Sequence, residues 1–144
     1  MDFIDFDKHL EKKTGKTIIE LFDKEGEKKF RLLEHEQLKK LVLRENVVIS
    51  LGGGTPCFHN NIDLINKSGI SVYLQMNADV LLKRLSKSKT KRPLIRDLNE
   101  TDLRCFIEGN LEKRKQVYQM ACFSIKASSL NEKEVTEAIA NWYL

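Results

Sequence analysis

The chain has 144 residues, with 25 Lys and Arg against 21 Asp and Glu, for a net charge of +4. That length suits a single domain, and 41% hydrophobic beside 32% charged residues excludes a disordered tract or a membrane protein. Most of the lysine is scattered among acids, as in Glu11-Lys12-Lys13 and Glu27-Lys28-Lys29, a solvated helix face and not a nucleic-acid groove.

In chain order, Phe3-Ile4-Asp5-Phe6-Asp7 alternates apolar and acidic residues and is expected to be a strand. Asp5 and Asp7 then share one face of it, free to bind a substrate hydroxyl or to cap the next helix. A helix over Lys8–Lys13 stops at Gly15. Thr17 with Glu20 three residues on forms a capping box for a short helix ending at Gly26. A longer helix is expected over Glu27–Glu45. Val47–Leu51 is a β-branched strand running straight into Gly52-Gly53-Gly54. Asn61–Lys67 is a helix closed by Gly69, Ile70–Leu74 a strand and Ala78–Leu85 a helix. Ser86–Asn99 is polar and basic, with Lys91, Arg92 and Arg96 around Pro93, and is expected to be a mobile lid. A long helix over Thr101–Ala121, a strand at Phe123–Ile125 and a helix over Glu132–Trp142 complete the chain. Strands alternating with helices imply a parallel sheet of four strands covered by helices. Ligands bind at the carboxyl ends of such strands, which groups Asp5, Asp7, the glycine triplet and Arg92 on one edge.

Two arginines interrupt apolar stripes. Arg114 falls amid Leu103, Phe106, Ile107, Leu111, Val117 and Tyr118, and Arg31 lies at the edge of the stripe of Phe30, Leu33, Leu38 and Leu41, with Glu34 beside it. A charged guanidinium facing a core needs an anion. Pattern alone leaves a snorkelling side chain or an Arg31–Glu34 ion pair open beside a fork for a ligand carboxylate or phosphate. The glycine triplet offers backbone N–H groups to a ligand, or is only a flexible turn. His9, His35 and His59 share no ligand spacing and are expected at the surface. Cys57, Cys105 and Cys122 have no zinc-ligand spacing, and the first residues have no leader pattern, so a reducing cytoplasm is expected. Gly15-Lys16-Thr17 imitates the end of a Walker A sequence, but position 10, where the first glycine would stand, is Leu10.

Asp5-Phe6-Asp7, Gly15-Lys16-Thr17-Ile18, Gly26-Glu27 with Phe30-Arg31 and Glu34, Ile49-Ser50-Leu51-Gly52-Gly53-Gly54, Lys91-Arg92-Pro93-Leu94 and Arg114 four residues before Tyr118 together resemble shikimate kinase in order and spacing. Gluconate kinase and other small-molecule P-loop kinases share the architecture without combining the Phe-Arg-x-x-Glu segment with the triplet. The resemblance implies one P-loop kinase domain over 1–144, with substrate-binding helices at about 8–45 and a lid at about 86–98. It implies ATP-dependent phosphorylation of a shikimate hydroxyl, towards chorismate and the aromatic amino acids. Arg31 and Arg114 would grip the substrate carboxylate. Asp7 would orient and deprotonate the attacking hydroxyl, and Gly52, Gly53 and Gly54 would lay amides against the substrate. Arg92 would meet the transferring phosphate and Arg84 the adenine. Mg2+ would be held outside this sequence, with Asp5 reached through water and Ser50 close by. A monomer is expected, with shikimate and ATP as its only partners, neither nucleic acid nor membrane. The resemblance also implies that the family's first strand, Walker A loop and first helix are absent. The chain alone is then expected to be marginal in stability and as a kinase, the alternative being a non-catalytic shikimate-binding remnant.

Overall fold

The computed structural model describes residues 1–88 and 92–143. Its elements are β1 (Asp2–Asp5), α1 (Phe6–Thr14), α2 (Ile18–Leu41), β2 (Val47–Ser50), a 3-10 turn at Thr55–Cys57, α3 (Asn61–Ser68), β3 (Val72–Gln75), α4 (Ala78–Ser88), α5 (Glu100–Tyr118), β4 (Phe123–Lys126) and α6 (Glu132–Tyr143). They fall into two compact units, one of residues 1–69 with 89–97, the other of 70–88 with 98–144.

In the first unit β1 and β2 run parallel, with Ile4 opposite Ile49 and Asp5 opposite Ser50. A parallel pair needs a crossover, and α1 and α2 supply it. Alternation along the strands turns Ile4 and Ile49 toward the core, where they pack on Phe6, Leu10, Leu21, Phe30, Leu38 and Leu41. Phe6 and Leu10 are wholly buried, so α1 is anchored by its own apolar face. The two helices meet at the Walker A imitation, which is a turn: Gly15 closes α1 in the left-handed conformation. Thr17 then opens α2 with a reciprocal capping box, its hydroxyl accepting from the Glu20 N–H and its own N–H donating to the Glu20 carboxylate. The expected break at Gly26 is present inside α2, at φ 77° and ψ 166°, a backbone state that glycine reaches without strain. It bends α2 so that the segment carrying Arg31 and Glu34 starts afresh.

In the second unit β3 and β4 are again parallel, with Val72 opposite Phe123 and Leu74 opposite Ile125. Leu82, Leu103, Ile107, Ile125 and Ala127 are its buried apolar residues. The Asn99 side chain caps α5 by accepting from the Asp102 N–H.

Three expectations need correction. The strands pair two by two, β1 with β2 and β3 with β4, and not as one four-stranded ladder; the crossover in each pair joins strands that are consecutive in the chain. Asp7 is not on a strand: β1 stops at Asp5, whose carboxylate caps α1 by accepting from the Lys8 N–H at 3.1 Å, so Asp7 stands in the first helical turn. The segment expected as a lid from position 86 is in part helix, since Ser86–Ser88 continue α4. Residues 92–97 form a tight turn in which the Ile95 and Arg96 N–H groups donate to the Arg92 carbonyl. Lys91 lies outside the described residues.

Candidate active site

Arg31 is the centre of the first unit's polar cluster. One turn of α2 places Glu27 and Glu34 on either side of it. Its Nη1 donates to Glu34 Oε2 at 2.8 Å, while Nε and Nη2 donate to Glu27 Oε1 at 3.3 and 3.2 Å. Both members of the inner pair are buried, Glu34 almost completely. The ion pair between Arg31 and Glu34 is therefore present, and it acts as a support. Of the guanidinium's five N–H groups three are used, which leaves one on each terminal nitrogen, the pair that forks a carboxylate. Phe22, Phe30 and Phe58 present their rings to the same group at 5.8, 5.4 and 4.5 Å, adding cation–π attraction and keeping water back.

The glycine triplet lies against this group. A side chain at Gly54 would put its first carbon 2.6 to 2.8 Å from the guanidinium atoms, so the close approach requires glycine there. At Gly52 the same carbon would meet Asp7 Oδ1 at 3.6 Å and Thr55 Oγ1 at 3.5 Å. The start of α1, the triplet and the middle of α2 thus converge: Asp7, Gly52, Gly54, Arg31 and Glu34 share one small region. Thr55, fully buried at the start of the 3-10 turn, donates its hydroxyl to Glu34 Oε1 at 2.7 Å. Both oxygens of Glu34 are then occupied, as a buried carboxylate needs.

Burial is the largest influence on Asp7 and raises its pKa above the usual carboxylate value; Glu34 and Asp5 push the same way, while the charge of Arg92 opposes them. A half-buried carboxylate with enhanced proton affinity, next to a cation on a turn, suits proton uptake from a hydroxyl. Arg92 is exposed at the head of its turn, which is tied to α2 where Arg96 forks the Asp23 carboxylate at 3.2 and 3.0 Å.

Arg114 and Arg84 belong to the second unit. Arg114 is half-buried on α5 among Leu111, Val117 and Tyr118, and no acidic partner meets it among the described residues. Arg84 is exposed on α4. Sequence reasoning gave no role in the site to Glu27, quoted only as part of the resemblance, or to Thr55, Asn61 and His35. Glu27 is visible in principle, four residues before Arg31 on one helix face; the others come from distant segments. His35, expected at the surface, is half-buried and bonded to Asn61.

Parallel β-α-β crossovers carrying a guanidinium against a glycine triplet, beside a half-buried carboxylate of raised proton affinity, make an anion-binding site on an α/β frame, and the proteins this chain is similar to place that frame in the class of small-molecule kinases. The shikimate kinase family model matches residues 1–143. The shikimate kinase of Azobacteroides pseudotrichonymphae is 41% identical over 135 residues, which is 92% of this chain and 79% of the relative. The crystal structure of shikimate kinase from Bacteroides thetaiotaomicron superposes with a TM-score of 0.88 at 37% identity, over 99% of this chain and 81% of that one. Shikimate kinase from Acinetobacter baumannii, solved in complex with shikimate, gives a TM-score of 0.89 at 30% identity, over 99% of this chain and 78% of that one. The chain belongs to the shikimate kinase family, a family of phosphotransferases. These matches run over nearly all of this chain, and the expectation of an absent first strand, loop and helix is not borne out by them. The reading as a non-catalytic remnant is not favoured.

Proposed function

We propose that this chain phosphorylates a ring hydroxyl of shikimate at the expense of ATP, with Arg31 and Arg114 as the carboxylate-binding pair. The observation that carries the reading is the buried Arg31 guanidinium, steadied by Glu27 and Glu34 and stacked against Gly54, with two N–H groups left for an anion. Arg114, half-buried without an acidic partner among the described residues, supports the second half of the grip. The relative solved with shikimate makes that acid the first substrate to test.

Asp7 orients the attacking hydroxyl and takes its proton as the oxygen bonds to the γ-phosphorus. The bond to the bridging oxygen breaks in the same displacement, and ADP leaves with that oxygen's charge. Amides of Gly52, Gly53 and Gly54 approach the substrate without side chains in the way. Arg92 neutralises charge on the transferring phosphoryl group, and Arg84 lies against the adenine. No three His, Cys, Asp or Glu side chains gather into a metal-holding group among the described residues. Magnesium keeps most of its waters and is held by one or two carboxylates together with substrate phosphates. Asp5 and Ser50, register partners at the carboxyl end of the β1–β2 ladder, present oxygens that would receive those waters. The ion, when bound, supplies charge neutralisation at the phosphates.

The test is steady-state kinetics with shikimate and ATP varied in turn. Arg31→Ala and Arg114→Ala should each raise the shikimate KM by about ten- to a hundredfold, the worth of a lost charge-assisted bond, with a much smaller change in the ATP KM. Equal effects on both substrates would remove the assignment.

A further inference from the structure

Behind Arg31 runs a chain of short hydrogen bonds that the reaction itself does not use. Glu34 Oε1 accepts from the Thr55 hydroxyl at 2.7 Å, the Thr55 carbonyl accepts from Asn61 Nδ2 at 2.7 Å, and Asn61 Oδ1 lies 2.7 Å from His35 Nδ1. Thr55 and Asn61 are wholly buried. The chain has one consistent set of proton positions. Asn61 Nδ2 faces a carbonyl and must donate, so Oδ1 faces the imidazole and must accept, which puts a proton on His35 Nδ1. Glu34 and His35 are neighbours on α2, and each fastens one end of the segment Thr55–Asn61, which follows the glycine triplet directly.

We infer that His35, acting through Asn61, is a positioning residue for the substrate carboxylate: it fixes Thr55, and with it Glu34 and the Arg31 guanidinium against Gly54. The inference rests on the reading of Arg31 as the carboxylate-binding residue. It assigns a function to a histidine that is half-buried and bonded to a side chain with no exposure at all. Loss of the Nδ1 donor leaves Asn61 with a buried acceptor lacking its partner. The amide then keeps only its bond to the Thr55 carbonyl and is no longer held from its other end, so the position of Thr55 is less tightly fixed.

Two substitutions separate the hydrogen bond from the ring. His35→Phe keeps the ring's bulk and its contact with the His59 ring, whose centroid is 5.3 Å away, and removes the donor. His35→Asn removes the ring, but its Nδ2 stands on the same carbon as the histidine Nδ1 and restores the donor. Calorimetric titration of the whole chain with shikimate should give a dissociation constant about five- to tenfold weaker for His35→Phe and within about twofold of wild type for His35→Asn. In an Arg31→Ala background, His35→Phe should cause no further weakening, because a residue acting through Arg31 has nothing left to position. Equal binding by all three His35 forms, equal weakening by both substitutions, or the reverse order overturns the inference. So does additive weakening in the Arg31→Ala background. An Arg31→Ala chain that binds like wild type overturns the reading of Arg31 and this inference with it. A weakened Arg31→Ala chain beside an unchanged His35→Phe chain overturns the inference alone.

Discussion

Gly54 and Arg31 are in face-to-face contact: a methyl group on the glycine would lie 2.6 Å from Nη2 and 2.7 Å from Nη1. The guanidinium is the far end of a long side chain and could swing aside, but doing so breaks its 2.8 Å bond to the buried Glu34. Gly54→Ala should therefore damage binding more than folding. The expected result is a shikimate affinity lowered by about tenfold or more, with a stability loss of about 1–3 kcal/mol. Titration calorimetry and a urea melt on one preparation check both.

Asp7 gives a pH signature. Burial, reinforced by Glu34 and Asp5, raises its pKa in the folded chain above the unfolded value. A carboxylate raised in this way favours the fold fully below its unfolded pKa, and that contribution is lost as pH rises through the folded pKa. Above the folded pKa the ionised Asp7 is thus a cost to the fold. Asp7→Asn should raise the melting temperature at pH 7, the gain should fade as pH falls through the folded pKa and be gone below the unfolded one, and turnover should collapse. A variant no more stable than wild type at pH 7 contradicts the raised pKa.

Asp5 is a cap before it is anything else. Its carboxylate accepts from the Lys8 N–H at 3.1 Å and opens α1. Asp5→Ala should cost about 1 kcal/mol, and Asp5→Asn, an equally good cap, should recover most of it. Thermal melts of the pair decide this. If Asn restores stability while turnover in saturating magnesium stays low, the carboxylate charge has a second task beside the cap.

Local signals were the legible ones. Gly15, the Thr17–Glu20 capping box and the Gly26 break all act within a few residues, and all three stand where spacing placed them. Arg31 and Glu34, three apart on a helix, could be paired from spacing as well. Phe3–Asp7 misled because its alternation fits a strand throughout, while the wholly buried Phe6 and the cap at Asp5 make its second half a helix. Strand pairing was beyond reach, since apolar alternation identifies a strand and not its neighbour. The His35–Asn61 and Thr55–Glu34 bonds join residues 26 and 21 apart. Such links leave no trace in periodicity, because each partner alone reads as an ordinary surface or turn residue.

Arg92 separates positioning from chemistry. Its turn is held to α2 by the Arg96–Asp23 fork and contains the buried Ile95, so substitution of the exposed Arg92 side chain should leave the turn in place. A cation that acts on the transferring phosphoryl group matters in the transition state and little in the ground state. Arg92→Ala should lower kcat by about a hundred- to a thousandfold, with the shikimate KM changed far less. The same charge lowers the pKa of Asp7 against the larger influence of burial. Its removal should raise the proton affinity of Asp7 further and move the acid limb of the kcat profile to higher pH. Arg92→Lys keeps the charge and should hold that limb near its wild-type position while losing most of the fork's contribution to rate. A full pH–rate profile of the three enzymes reads both effects. An unchanged kcat in Arg92→Ala would take the arginine out of the reaction, and an unmoved acid limb would separate it electrostatically from Asp7.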